Sequence, residues 1–575
     1  MESRRIPRLS TWLERGAAVL AVAVVAAILS FYVVRLLAAL PIFASDVGPY
    51  LVHAIYPDEV AVRDPYLTSI TNGTHLSLIR ASWRIGAATG ASYAMIDKVI
   101  NAALYLGGLL ALWWASARRV APREQAALLV LALGFAYYRF PFSNMAEGPF
   151  VGALALVCLV TRAWYRERPI AHALAAGAAC ALLVLSKPHG VATVAALAVV
   201  AAADAALSRE WKRLALRIVL FAVAFFGVGN LIQLAAQEPV THPWAFWMGD
   251  FYSGAVGQHA PGGVAPLGLQ ALAIGIFAST VLAGVPIVLG LDEILERRRA
   301  EGERFRLRDR DYVFLLILLS LAATLAMVAI FAMKVASTPS ETQRLWGRYF
   351  EFFAPMLWLA AAPVLARKPA RGAALLCGAV TLIGLAGLLG LLQRGWIVLP
   401  WDSAVLTAFF APDRARAWLV LPLPLRGLAA AATLLAAGAF ALRARPAYVG
   451  AALLLTLSGL STWLDQVWLG DMTRHRAALE RDLRAIAPAM PPEPARVVLL
   501  TPDVNVGHIG FLELKAQPFV LVADVQAPPA GALADAAAVV ASGDKPPPGD
   551  WLAAYHGQEV SLWRRAGGAP LPMGR

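Results

Sequence analysis

Charge is scarce in this sequence. Only 15% of its 575 residues are Asp, Glu, Lys or Arg, whereas 59% are hydrophobic and the mean hydropathy is +0.63. So few charges cannot coat a soluble body of this size, which excludes an ordinary soluble globular or disordered chain and leaves a polytopic membrane protein. Cysteine is scarcer still. Cys158, Cys180 and Cys377 each sit inside an apolar run without ligand spacing, which excludes a disulfide framework and a thiolate metal site. No heptad run, short repeat or low-complexity tract stands out. Ionisable residues are nearly missing from the interiors of the long apolar runs; Arg35, near the outer end of the first, is the exception. Ion-coupled carriers and proton relays need such groups near the bilayer midplane, so the pattern disfavours a pump. The net charge of +13 does not point to nucleic acid, because the basic residues cluster in short connections between apolar runs.

What is present is a series of apolar stretches of spanning length. They lie near residues 17–40, 95–116, 124–140, 147–163, 171–186, 190–207, 214–236, 267–291, 312–334, 350–366, 372–392, 425–442 and 447–466. The fold class expected is therefore a polytopic α-helical membrane protein of about thirteen helices. The first stretch is too long for a signal-peptide core and is expected to be an anchor. With Arg4, Arg5, Arg8 and Arg15 placed in the cytoplasm, the connections "ARRVAPRE", "RAWYRERP", "SREWKRLALR", "ERRRAEGERFRLRDR", "ARKPARG" and "ALRARPA" all fall on the same side. Each is short and basic, as the positive-inside rule requires. The opposite loops, 41–94, 237–266 and 393–424, are longer. Residues 1–470 are thus expected to form a transmembrane domain. Residues 471–575, with a helical connector over Met472 to Ala487 and then short β-rich runs such as "ARVVLLTPD" and "AAAVVASGD", are expected to form a small extracytoplasmic α/β domain. The Ala-, Arg- and Pro-rich composition suggests a bacterial inner membrane, with this domain in the periplasm if the source is Gram-negative.

The polar chemistry collects at the expected outer ends of the helices. "FASDVGPY" supplies Asp46, followed by Asp58, Glu59, Arg63 and Asp64; "YYRFPFSNMAEGPF" supplies Arg139 and Glu147; "LSKPHG" supplies Lys187 and His189. His242 and Asp250 follow in "THPWAFWMGDFYSG". Lys334, Glu341, Arg344, Arg348 and Tyr349 lie in "KVASTPSETQRLWGRYFEFFAP". Each has a plainer explanation alone: a helix cap for Asp46, snorkelling for Lys187 and Lys334, an interfacial belt for the aromatics. Together, two outer loops place a carboxylate, Asp46 or Glu147, beside a helix end, and two more place cations there. A carboxylate can act as general base toward a hydroxyl. Arginine grips phosphate oxygens with a planar fork, and lysine binds them as a point charge. Both at a membrane surface suit a lipid-phosphate substrate.

The combination resembles the GT-C superfamily of integral-membrane glycosyltransferases, which use polyprenyl-phosphate-linked sugars. Within it the likeness is to the protein O-mannosyltransferase, lipid A aminoarabinose transferase and arabinofuranosyltransferase type. It rests on the span count, "FASDVGPY", "NMAEGPF", "SKPHG", "RLWGRYF" followed by Pro355, and a domain after the last helix. The first loop has Ser45-Asp46-Val47 without a paired acid, and Glu147 stands alone where some relatives have Asp-Glu. The resemblance implies a single inverting displacement at the outer face. Asp46 would be the base and Glu147 a second catalytic carboxylate, with Lys187, His189, Arg344, Arg348 and Tyr349 binding substrate. It implies a polyprenyl-phosphate sugar as donor, a glycan, lipid or protein as acceptor, and membrane lipids as surroundings. No cofactor is certain, and a divalent cation is left open. A transporter or flippase of lipid-linked saccharides, a polysaccharide polymerase or ligase, and an inactive scaffold remain the alternatives.

Overall fold

The computed structural model describes residues 8–38, 47–55, 72–118, 120–236, 265–334, 343–392, 394–399, 401–410, 422–491, 497–501, 521–522, 533 and 536–566. Helix α1 (Arg8–Ala38) is followed by α2 (Val47–Ile55) and α3 (Gly73–Thr89), then by α4 (Tyr93–Ala117), α5 (Pro122–Gly134) and α6 (Glu147–Trp164). The chain continues through α7 (Pro169–Ser186), α8 (Val191–Ser208), α9 (Trp211–Ala235), α10 (Ala265–Glu301) and α11 (Asp309–Lys334). Two short helices, α12 (Phe353–Ala360) and α13 (Ala362–Leu365), precede α14 (Arg371–Leu392), α15 (Leu423–Ala441) and α16 (Pro446–Ile486).

Among the described residues, eleven helices are long and apolar enough to cross a membrane, and each coincides with one of the stretches picked out above. The protein is a polytopic membrane protein. Of the other two expected spans, the first lies within the 31-residue α1. The second takes a different form. The stretch 350–366 is broken at Ala361 into α12 and α13, and every residue of α12 is buried. Pro363, at the start of α13, has no N–H to continue the ladder of α12, so the break is local chemistry. The first outer loop, read above as a loop, contains the 17-residue helix α3.

Helix packing relies on small residues. A Cβ on Gly148 of α6 would lie 2.5 Å from the Asn101 carbonyl of α4, and one on Gly152 would lie 3.1 Å from that of Leu104. These glycines, four apart on one face, let α4 and α6 approach backbone to backbone. In α10, Pro286 cannot donate to the Leu282 carbonyl one turn back. Trp358 of α12 supplies the missing donor, its Nε1 reaching Leu282 O at 2.7 Å. The same indole lies against Gly450 of α16, where an added Cβ would come within 2.2 Å of the ring. The three cysteines are buried and free, as expected of core residues.

Helix α16 runs 41 residues without interruption and leads to a five-stranded sheet. Its strands are β1 (Val497–Leu500), β2 (Leu521–Val522), β3 (Ala538–Ser542), β4 (Trp551–Tyr555) and β5 (Val560–Arg565), in the order β2-β1-β3-β5-β4. Strand β1 pairs in parallel with β2 and β3, in the register Val497↔Ala538, whereas β5 is antiparallel to both β3 and β4. All four residues of β1 are buried, as an inner strand covered on both faces requires.

Candidate functional site

Three segments converge at the expected outer ends of α6, α7 and α11. The first enters α6. After two 3-10 turns, Ala136–Arg139 and Pro141–Ser143, the chain reverses at Asn144, whose φ of 59° is a left-handed conformation that asparagine tolerates better than most residues. Its side-chain amide donates to Ala94 O and to Asp97 Oδ2, both at 2.8 Å, which ties the turn to α4. Asp97 also accepts from Asn101 Nδ2 at 3.1 Å. The turn delivers Glu147 into the first turn of α6, where the helix dipole favours a carboxylate.

The second segment leaves α7. Lys187 takes an extended conformation (φ −151°) that ends the helix, and Pro188-His189-Gly190 forms a 3-10 turn. Lys187 donates to Glu147 Oε1, and the pair is buried, with Glu147 1% and Lys187 6% exposed. An ammonium at a helix C-terminus meeting a carboxylate at a helix N-terminus satisfies both dipoles.

The third segment is 343–351. Leu345 N bonds Ile397 O and Ile397 N bonds Gln343 O, both at 3.0 Å, which fastens the segment to the loop before α15. Arg344 grips Asp402 with two hydrogen bonds, Nε to Oδ2 at 2.5 Å and an Nη to Oδ1 at 2.6 Å, and the Arg348 amide bonds Asp402 O. Glu351, buried, accepts from Ser403 Oγ and from the Ala404 and Leu406 amides. Tyr137 of the first segment donates to Arg348 O at 2.7 Å.

The segments meet around the ring of Tyr349. Lys187 Nζ lies 5.0 Å from its centroid and the Arg348 guanidinium 5.2 Å, both at cation–π distance. His189 stands edge-on at 5.2 Å and packs on Phe150 at 4.3 Å. Arg344 instead covers Trp346, at 4.1 Å. Glu147, Lys187, His189, Arg348 and Tyr349 are therefore neighbours, with Arg344 one aromatic ring away. Asp46 lies outside the described residues, as do Asp58, Glu59, Arg63, Asp64, His242, Asp250 and Glu341.

Four residues that the sequence did not single out complete the surroundings: Asp402, Glu351, Asp97 and His75. His75 is fully buried in the first turn of α3, edge-on to Tyr50 at 5.2 Å. Burial first, and the nearby Lys187 charge second, push its imidazole down to about 3, against a weak opposing effect of the Asn144 backbone. It is neutral at physiological pH. Glu147 Oε2 and His189 Nε2 are buried and make no hydrogen bond within the protein. Buried polar atoms of this kind are costly to leave unmade, and here they face a cluster of cations. Among the described residues, no three His, Cys, Asp or Glu side chains group closely enough to hold a metal ion.

No protein-family model matches the chain, and no curated protein matches it. Solved structures do. ArnT from Cupriavidus metallidurans, an aminoarabinose transferase, aligns in its apo state over 97% of this chain and 100% of its own, with 16% identity and a TM-score of 0.54. The structure of the same protein bound to undecaprenyl phosphate aligns over 96% and 99%, with 16% identity and a TM-score of 0.55. Over nearly its whole length, the chain has the fold of ArnT.

Proposed function

We propose that the chain transfers a sugar from a polyprenyl-phosphate-linked donor to an acceptor hydroxyl at the outer face of the membrane, with inversion at the anomeric carbon. The observation that carries this is the convergence of Lys187 and Arg348 on one side of a buried site that also holds Glu147, in a chain sharing its fold with a protein solved bound to undecaprenyl phosphate. Two cations beside unsatisfied polar atoms form a site for an anionic, hydroxyl-bearing ligand.

In this reading the acceptor oxygen attacks the anomeric carbon while its proton passes to Asp46. The bond from that carbon to the phosphate oxygen breaks, and the electron pair leaves with polyprenyl phosphate. The leaving phosphate needs charge stabilisation more than a proton, and Lys187 and Arg348 supply it. Glu147 keeps Lys187 in place before the donor arrives. The fork of Arg344 is already filled by Asp402, so Arg344 is assigned to hold the turn that presents Arg348 and Tyr349. No step is routed through a metal. The basic connections face the cytoplasm, and the C-terminal sheet faces the opposite side, the periplasm in a Gram-negative cell.

Native mass spectrometry of the gently solubilised chain tests the proposal without a guess about the sugar. The wild type is expected to retain a polyprenyl phosphate or its glycoside. Arg348→Ala, which leaves the Glu147–Lys187 pair intact, should lose it, and Asp46→Asn should retain it while transfer stops. Removing one donor of such a site typically lowers the rate by about 10²–10³. Ordinary phospholipids alone, equal in all three proteins, would overturn the assignment.

A further inference from the structure

The opposite end of the bundle holds a feature the proposed reaction does not use. Between α7, α8 and α9 lies a cavity of about 350 Å³, lined by Leu197, Ala198, Ala201, Ile218, Phe221 and Ala222 among other apolar groups. Ile218 is 57% exposed, and so are its neighbours Leu216 (52%) and Val219 (58%), so this wall of the cavity faces lipid. From Arg217 to Phe226, the lining residues of α9 extend along about 13 Å of helix.

The mouth is cationic. Arg217 lines the cavity with its guanidinium 4.8 Å from the centre of the Tyr165 ring, and its buried Nε makes no hydrogen bond. Among the described residues, no carboxylate comes within ion-pair distance of Arg217. The nearest candidate, Asp204, already accepts from the hydroxyls of Tyr165 and Tyr312 and lies 3.9 Å from Arg166. The flanking connections add Arg166, Arg168, Arg209, Lys212 and Arg213 against Glu167 and Glu210, and Glu210 pairs with Arg213 at 2.6 Å. An apolar slot open to lipid, with a guanidinium at a basic rim that no described carboxylate neutralises, complements one kind of molecule.

We propose that this cavity is a binding site for an anionic glycerophospholipid of the leaflet on the basic side, with an acyl chain in the slot and the headgroup phosphate on Arg217. The occupant is a phospholipid and not the polyprenyl donor, because the slot's Arg217 mouth lies at the basic ends of α7 and α9, opposite the Lys187–Glu147 site. A phosphate at this mouth gives Arg217 the anionic partner that no described carboxylate supplies. Basic residues at a membrane surface favour anionic headgroups in the same way.

The test uses the full chain in mild detergent, exposed to vesicles of equimolar phosphatidylglycerol and phosphatidylcholine and then examined by native mass spectrometry. Wild type should retain one phosphatidylglycerol in preference to phosphatidylcholine. Arg217→Gln should reduce that preference about fivefold, the effect of one basic residue at a membrane surface. Filling the slot with Ala198→Leu and Ala222→Leu should abolish retention while the melting temperature in lipid-free detergent stays unchanged. If the filled variant does not fold, Arg217→Gln decides alone. Equal retention of both lipids by the wild type, unchanged retention in Arg217→Gln, or a polyprenyl phosphate that the filled slot displaces would each overturn the proposal.

Discussion

Glu147 and Lys187 are 40 residues apart in sequence and meet in a buried ion pair. Breaking such a pair from one side leaves a charge without water or partner, at a cost of about 3–5 kcal/mol, whereas replacing both members is often nearly neutral. Lys187→Met is therefore expected to destabilise the folded chain strongly, and Glu147→Gln combined with Lys187→Met to destabilise it less than Lys187→Met alone. Thermal unfolding in detergent of wild type, Lys187→Met, Glu147→Gln and the double variant checks this; additive losses would mean that the two side chains are not coupled. Both residues were visible in the sequence, because each stands beside a helix end in a polar break between apolar runs. Their partnership was not, since nothing local links two such breaks. The same holds for Asp402, 58 residues from Arg344 in "LPWDSA", and for His75, which looks like an ordinary loop histidine until α3 buries it.

Hydropathy alone locates the spanning helices because each must present some twenty apolar residues to lipid. The stretch 350–366 also runs from the Arg348 end of the bundle to the basic connections, where Arg367 lies 3.9 Å from Glu293, but it does so as two short helices, and α12 is buried inside the bundle. Its role there follows from Pro286. The proline leaves Leu282 O without its helical donor, and Trp358 of α12 satisfies it. Trp358→Phe keeps most of the ring volume but removes the N–H, leaving a buried carbonyl unpaired at about 1–3 kcal/mol. The expected result is a lower melting temperature for Trp358→Phe. A melting temperature equal to the wild type would show that the indole is there only to fill space against Gly450. The turn carrying Arg348 and Tyr349 leads directly into α12, so a loosened α12 should also weaken polyprenyl phosphate retention.

Across the whole molecule, membrane bundle and sheet are joined by one helix. Composition put a boundary at residues 470 and 471, and α16 passes through it unbroken to Ile486. Asp482, near its far end, accepts from Tyr555 Oη at 3.1 Å and from the amides of Glu559 at 2.7 Å and Val560 at 3.2 Å, clamping the β4–β5 hairpin. Asp482→Ala should loosen the sheet while sparing the bundle, so trypsin should cut the C-terminal region sooner with no change in bundle helicity. Equal cleavage would place the hold on the sheet in its apolar contacts alone. Strand β5 lies between β3 and β4, and Val560 and Leu562 share a core with Leu479, Leu483 and Ile486 of α16. The consequence for synthesis is that β5 cannot cover that apolar face of α16 until residue 565 has left the ribosome, so the face waits for part of its cover while the chain from 487 to 565 is being made.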